Sequence, residues 1–405
     1  MSSSAAQSAI VGAPKSNSEV FGPSLTTGRR RMDYLDGIRA IAAVYVVWRH
    51  LCATLGADDG FQRIVAWTPD PHYAVVMFIV LSGFCLALPT LKNGFRLPSG
   101  LMSFYKRRAR RILPPYYTAL ALSVILGVTV LSQATGNAWD ISLPVTFKSV
   151  LTHAFLIHNV TGDNARIDYP MWSVAVECQI YLLFPVLLWI SRRFGMVQLC
   201  ILAACITYPI TFFLRHSVLY DLKPHFVFFF CLGIFAASTV CEESQTSTSR
   251  KRKVRSLLIL ISVTVLGALA IIGAEEGGYF VARYGPYLAF FASIACCGLL
   301  IGIGGVRGGI LRRMLESRSL VGLGRMSYSL YLIHAPLLQM GWLLVRRAGV
   351  STVWQWVIMS GPVFAGIVGL SAVFYFFIER PFVRSFRSVR GPSIQGVPAL
   401  ATSQW

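Results

Sequence analysis

Charge of either sign is scarce in this chain. Only 13% of its 405 residues are Asp, Glu, Lys or Arg, and just 17 are acidic. Together with 55% hydrophobic residues and a mean hydropathy of +0.60, that scarcity excludes an ordinary soluble domain and implies a polytopic membrane protein. The nine cysteines (Cys52, Cys85, Cys178, Cys200, Cys205, Cys231, Cys241, Cys296 and Cys297) include no C-x-x-C pair and have no His at zinc spacing. Neither a disulfide framework nor a metal site is therefore expected, and the cysteines read as small buried hydrophobes. Residues 1–32 are Ser-rich, poor in aromatics and without an apolar core long enough for a cleavable signal, so they read as a disordered cytosolic tail, as do residues 386–405. No paired Gly/Pro-interrupted spans repeat between the two halves, which is the pattern of an inverted-repeat transporter. The formal net charge of +20 has no basic face on a soluble scaffold behind it, so nucleic acid is not an expected partner.

What is present is a succession of apolar runs of membrane-spanning length. They fall near 38–55, 72–91, 112–132, 171–190, 196–215, 224–240, 256–273, 285–304, 326–345 and 353–378. The expected fold class is thus all-α: a polytopic transmembrane bundle of about ten spans within residues 33–385. Orientation follows from the basic residues. "RRR" at 29–31, "KRRARR" at 106–111, "RR" at 192–193, "RKRKVR" at 250–255 and the arginines from 307 to 325 all fall on one side. The positive-inside rule makes that side the cytosol and places both termini there; only "RR" at 346–347 opposes it. In the outer loop, roughly 133–170, "LPVTFKSVLTHAFLIHNV" is broken by Lys148 and two histidines and reads as an interfacial or re-entrant segment. It also carries the sequon "NVT" at Asn159.

Ionisable residues inside apolar spans are costly, so each one needs a reason. Arg39 and His50 share the first span eleven positions apart, which puts them on nearly one helix face, roughly 16 Å apart along the axis. Small residues Ala42, Ala43 and Val46 lie between them, so the stripe reads either as a slot or as a snorkelling arginine plus a packed histidine. In "MWSVAVECQIYLLFP", Ser173, Glu177 and Tyr181 share a face at a depth matching that of His50. Glu177 is expected either to orient the His50 imidazole or to bond a neighbouring hydroxyl. The cluster Lys106, Arg107, Arg108, Arg110 and Arg111 stands directly before the third apolar run, so it suits a phosphate-bearing anion at a helix N-terminus, or topogenic and lipid-binding charge. Ser327, Tyr331 and His334 fall on one stripe, where His334 is either a substrate ligand or a satisfied core histidine. Glu379 beside Arg380 reads as an ion pair or cap at the cytosolic edge.

In these stretches the chain resembles the acyltransferase 3 family of integral-membrane O-acyltransferases, from about Tyr34 to Phe382. "YLDGIRAIAAVYVVWRH" is similar to the family's opening helix, "FIVLSGF" to its second, "RRARRILPPYY" to its Arg-x-x-Arg element, "WSVAVECQIYLLFP" to its Trp-to-Glu-to-Tyr helix, and "SYSLYLIHAPL" and "IERPF" to its last two. The resemblance implies an enzyme that takes an acyl group, short and acetyl by expectation, from acyl-CoA on the cytosolic side to a hydroxyl of a sugar, lipid or small metabolite. It implies catalytic roles for His50, Arg39 and Glu177, and a substrate-binding role for the Arg-x-x-Arg pair Arg108 and Arg111; Arg107, Tyr116, Trp172, Ser173, Tyr181, Tyr331 and His334 are further candidate substrate-binding residues. Acyl-CoA would be a co-substrate, with no permanently bound cofactor and with membrane lipids as surroundings. The "SRKRKVR" stretch, the double proline and the absence of a fused hydrolase-like domain depart from the family pattern. The rival reading is a proton-coupled multi-pass transporter, because intramembrane Arg, His and Glu also mark translocation pathways.

Overall fold

A computed structural model describes residues 32–55, 71–243, 249–305 and 309–384. Apart from Met32, the two expected terminal tails lie outside the described residues. Within them the chain is helical without strands, and ten helices are long and apolar enough to cross a membrane. The protein is a multi-pass integral membrane protein.

The helices in chain order are α1 (Asp33–Leu55), α2 (His72–Leu91), α3 (Gly100–Val128), the short α4 (Phe147–Ala154), α5 (Trp172–Phe194), α6 (Met196–Phe213), α7 (Phe226–Glu243) and α8 (Ser249–Gly305). They continue with α9 (Ile310–Leu315), α10 (Arg318–Arg325), α11 (Ser327–Arg347), α12 (Thr352–Ile358), α13 (Phe364–Phe374) and α14 (Arg380–Arg384). Two π-helical turns, Met359–Val363 and Tyr375–Glu379, join the last three into one span. The α8 run holds two spans, Arg250–Ile272 and Tyr284–Gly305. A straight helix would carry Arg255 about 75 Å from Gly305, yet the Arg255 guanidinium donates to the Gly305 carbonyl, and a Cβ on Gly302 would meet Ile259. The run therefore doubles back as an antiparallel pair.

Composition decides which helices are central. α2 and α7 are mostly buried, whereas α6, the first half of α8 and the last span present Ile, Leu and Phe outward, as a lipid-facing flank requires. Hydrophobic driving force vanishes between helices in lipid, so close contact depends on small residues. α2 and α7 meet at Gly83 and Gly233, where a Cβ would lie 2.1 Å from the Phe230 oxygen and 2.0 Å from the Val80 oxygen, respectively. This crossing fixes the face that α2 turns to the rest of the bundle.

Two expectations change here. The helix carrying the basic cluster starts at Gly100, two to three turns before Arg107–Arg111, and runs on through Pro114 and Pro115. Its orphan N–H groups are therefore remote from the arginines, and any anion held there is held by side chains. Asn159 is fully buried: it exchanges amide hydrogen bonds of 3.1 and 2.9 Å with Gln179, so the sequon offers no acceptor for a glycan. Of the two readings of Glu379, ion pair or cap, the cap is the one formed. Glu379 is 2% exposed and accepts from the backbone N–H and hydroxyl of Ser329 at 3.2 and 2.6 Å, capping the first turn of α11, while Arg380 lies over the Phe376 ring.

The loop read from the sequence as interfacial or re-entrant holds the short helix α4. α4 is opened by a Thr146/Ser149 capping box and turns Phe147, Leu151 and Phe155 outward while burying Ser149, Thr152 and His153. The opposing Arg346 also finds its reason in this loop, since it donates to the Thr135 carbonyl.

Candidate active site

Two cavities lie along the α1 stripe. The larger is lined by Arg39, Arg108 and Arg111, by the polar set Ser82, Cys85, Ser173, Glu177, Tyr181 and Ser327, and by an apolar wall that includes Phe78 and Ile112. The smaller is lined by Val46, His50, His72, Tyr169, Trp172 and their neighbours. Val75 and Tyr331 line both, so these two side chains form the partition between the arginines and the imidazole.

The cationic end is built from three helices. Arg39 reaches Asp36 Oδ1 at 3.1 Å and Cys85 Sγ at 3.0 Å, so its guanidinium is held rigidly at the cavity wall rather than snorkelling away. Arg108 and Arg111 come one turn apart from α3. Glu177 does not orient His50. Its Oε1 accepts from the Tyr181 hydroxyl at 2.5 Å, and because that phenol has a single proton, Ser82 must donate to the Tyr181 oxygen across their 2.6 Å contact. Of the two readings the sequence left open for Glu177, the neighbouring hydroxyl is the one observed.

At the other end His50 is buried, 8% exposed, against the outer loop. The Trp139 indole meets it edge to face, with centroids 5.1 Å apart, and donates to Thr54 Oγ1 at 2.6 Å, which itself bonds the His50 carbonyl at 2.8 Å. The outer loop thus roofs the imidazole. It is tied to α3 where Ser123 donates to Asp168 at 2.9 Å; burial pushes the Asp168 carboxyl up to about 8. In the same loop the stacked rings of His153 and His158, with centroids 3.8 Å apart, are driven down to about 4 and about 3, again by burial. Tyr331, from α11, lies with its hydroxyl 2.7 Å from Ser173 Oγ and 3.1 Å from the Pro170 carbonyl, which pins the partition in place.

Of the residues singled out from the sequence, Arg39, Arg108, Arg111, Ser173, Glu177, Tyr181 and Tyr331 share the larger cavity, and His50, Trp172 and Tyr331 the smaller. Three are elsewhere. Tyr116 is fully buried and donates to the His153 carbonyl at 3.0 Å; Arg107 lines neither cavity; His334 lies behind His50 and lines neither. Sequence reasoning missed Val75, Phe78, Ser82 and Cys85, which follow helical spacing along one stripe of α2, because an apolar span gives no internal sign of which stripe faces a cavity. It also missed Trp139, His72 and Tyr169.

The model of the acyltransferase 3 family, an acyltransferase domain, matches residues 32–376. The chain belongs to that family. Among relatives, the peptidoglycan O-acetyltransferase OatA of Listeria monocytogenes is 25% identical over 331 residues, covering 76% of this chain and 50% of that protein. The O-acetyltransferase OatA of Staphylococcus aureus is 23% identical over 337 residues, covering 76% and 51%. The putative peptidoglycan O-acetyltransferase YrhL of Bacillus subtilis is 25% identical over 391 residues, covering 90% and 57%. The chain therefore spans about half the length of the curated relatives it matches, and no solved structure matches it.

Proposed function

We propose that the chain transfers an acyl group, acetyl in the first instance, from acyl-CoA to a hydroxyl of a saccharide-type acceptor, with the arginine-lined cavity holding the donor and His50 acting on the acceptor. The observation that carries this reading is the pair of cavities that meet across Val75 and Tyr331, with three guanidinium groups in one and an imidazole in the other. Arg39, Arg108 and Arg111 present planar, permanently charged groups of the kind that bind phosphate oxygens. Under the orientation set by the basic residues, they stand at the cytosolic half, where an acyl-CoA would arrive. The α1 rise from Arg39 to His50, roughly 16 Å, is then the path of the thioester arm. The acceptor class follows the named relatives, and Trp172 lines the smaller cavity together with His50.

In the reaction, His50 takes the proton of the acceptor hydroxyl as its oxygen attacks the thioester carbonyl carbon. The tetrahedral intermediate then collapses with cleavage of the C–S bond, and the departing thiolate takes the proton back from His50. The products are the O-acyl ester and free CoA, with no net proton change. General-base assistance of this kind is worth typically about 10²–10⁴ in rate. The test is acyl transfer from labelled acetyl-CoA to pooled acceptors by membranes bearing wild-type or His50→Ala protein, with solute flux followed in parallel. Loss of labelled ester in a correctly inserted variant supports the assignment. Wild-type turnover removes His50 as the base, and flux without ester formation restores the transporter reading.

A further inference from the structure

His334 stands directly behind His50, and its hydrogen bonds prescribe a protonation pattern. Its Nδ1 lies 2.7 Å from the carbonyl oxygen of Tyr331 in its own helix. A carbonyl only accepts, so Nδ1 of His334 carries the hydrogen. A neutral imidazole has one N–H, and a neutral ring is the state expected of a fully buried histidine, 0% exposed. Nε2 of His334 is then an acceptor. It lies 2.8 Å from Nδ1 of His50, so His50 must donate from Nδ1, which leaves the basic lone pair of His50 on Nε2. The ring planes differ by only 7° with centroids 5.0 Å apart, and the nitrogens are too close for rings stacked face to face. The contact is therefore an edge-on hydrogen bond within a common plane.

We infer that His334 is a positioning residue for acyl transfer: anchored on the Tyr331 carbonyl, it holds His50 as the Nδ1–H tautomer and directs Nε2 toward the proton to be abstracted. The inference rests on the general-base reading of His50. In a Ser-His-Asp arrangement the third member both fixes the tautomer and stabilises the imidazolium by its charge. His334 supplies the first service through a neutral lone pair, and the Nδ1 hydrogen of His50 stays shared with it while Nε2 gains and returns the acceptor's proton. The same residue that partitions the cavities, Tyr331, contributes the carbonyl that sets the chain of bonds. A shift of α11 would thus disturb the donor passage and the base together.

Two measurements test this separately. In wild-type protein labelled with ¹⁵N-histidine in bilayers, the seven histidines allow the His50 signals to be assigned by difference from His50→Ala. A protonated Nδ1 and an unprotonated Nε2 on His50 support the inference, and the reverse pattern overturns it. In kinetics, His334→Leu should lower kcat on the order of 10²-fold with KM for both substrates within about twofold. His334→Gln, whose side-chain oxygen can still accept from His50, should recover most of that loss. A rise in KM with kcat preserved, or equal activity of the Leu and Gln variants, overturns the inference. Should His50→Ala keep its turnover while the Nδ1–H pattern persists, the base reading fails but the hydrogen-bond assignment stands, so the two failures are distinguishable.

Discussion

On the proposed donor path, the partition between the cavities would limit the length of the acyl group. Val75 lines both cavities from α2, and the packing of that helix against α7 at Gly83 and Gly233 leaves its backbone little room to retreat. Val75→Ala removes two methyl-sized groups from the wall that the thioester would pass or occupy on that path. Each buried CH₂ that a longer acyl chain places in the freed volume is worth about 0.8 kcal/mol, so two give about 1.6 kcal/mol. At about 1.4 kcal/mol per factor of ten, that is roughly a 15-fold gain in kcat/KM for butanoyl-CoA relative to acetyl-CoA. The assay is competition between the two donors in one membrane preparation, with the ester products resolved by mass. Because both donors share one enzyme pool, differences in expression cancel from the ratio. A ratio unchanged by Val75→Ala, in protein that still transfers acetyl, would refute the assignment of this wall to the acyl position.

Two further outcomes follow from the fold. Gly83→Ala would drive a Cβ to 2.1 Å from the Phe230 oxygen, so the α2–α7 crossing must open; a loss of about 1–3 kcal/mol, read as a lower thermal midpoint in detergent, is expected, whereas Gly361→Ala, which meets nothing within 4 Å, should change little. Asp168, raised by burial to about 8, binds a proton more tightly folded than unfolded, so its contribution is fully present below the unfolded value and is lost as pH rises through about 8, at roughly 1 kcal/mol between pH 7 and pH 8. His153 and His158, held down by burial, act in the opposite sense and only as pH falls below the ordinary histidine range, so Asp168→Asn should flatten the alkaline arm of the stability profile and leave the acidic arm unchanged. An alkaline arm that survives the substitution would count against this reading.

The spans were legible because lipid imposes one rule on every helix: about twenty apolar residues, whatever their neighbours. The expected run at 72–91 coincides with α2, whose bounds are set by hydropathy alone. Where a helix extends beyond the apolar zone, hydropathy misplaces its start. The third run, expected from 112, begins at Gly100 because Lys106–Arg111 are good helix formers that hydropathy discards. Site residues were legible where burial of charge is itself improbable, as for Arg39, Arg108, Arg111, His50 and Glu177. Their pairing was not. Spacing along one helix places Glu177 and His50 at like depth, but rotation between helices sends Glu177 to Tyr181 and leaves His50 to a residue 284 positions away. Depth is a property of each helix alone and can be read from its own sequence; azimuth depends on what packs beside it. That distinction also explains why the α2 stripe passed unnoticed. Its cavity-facing residues are mostly those any lipid-facing helix would carry, and only the close approach at Gly83 and Gly233 turns them inward.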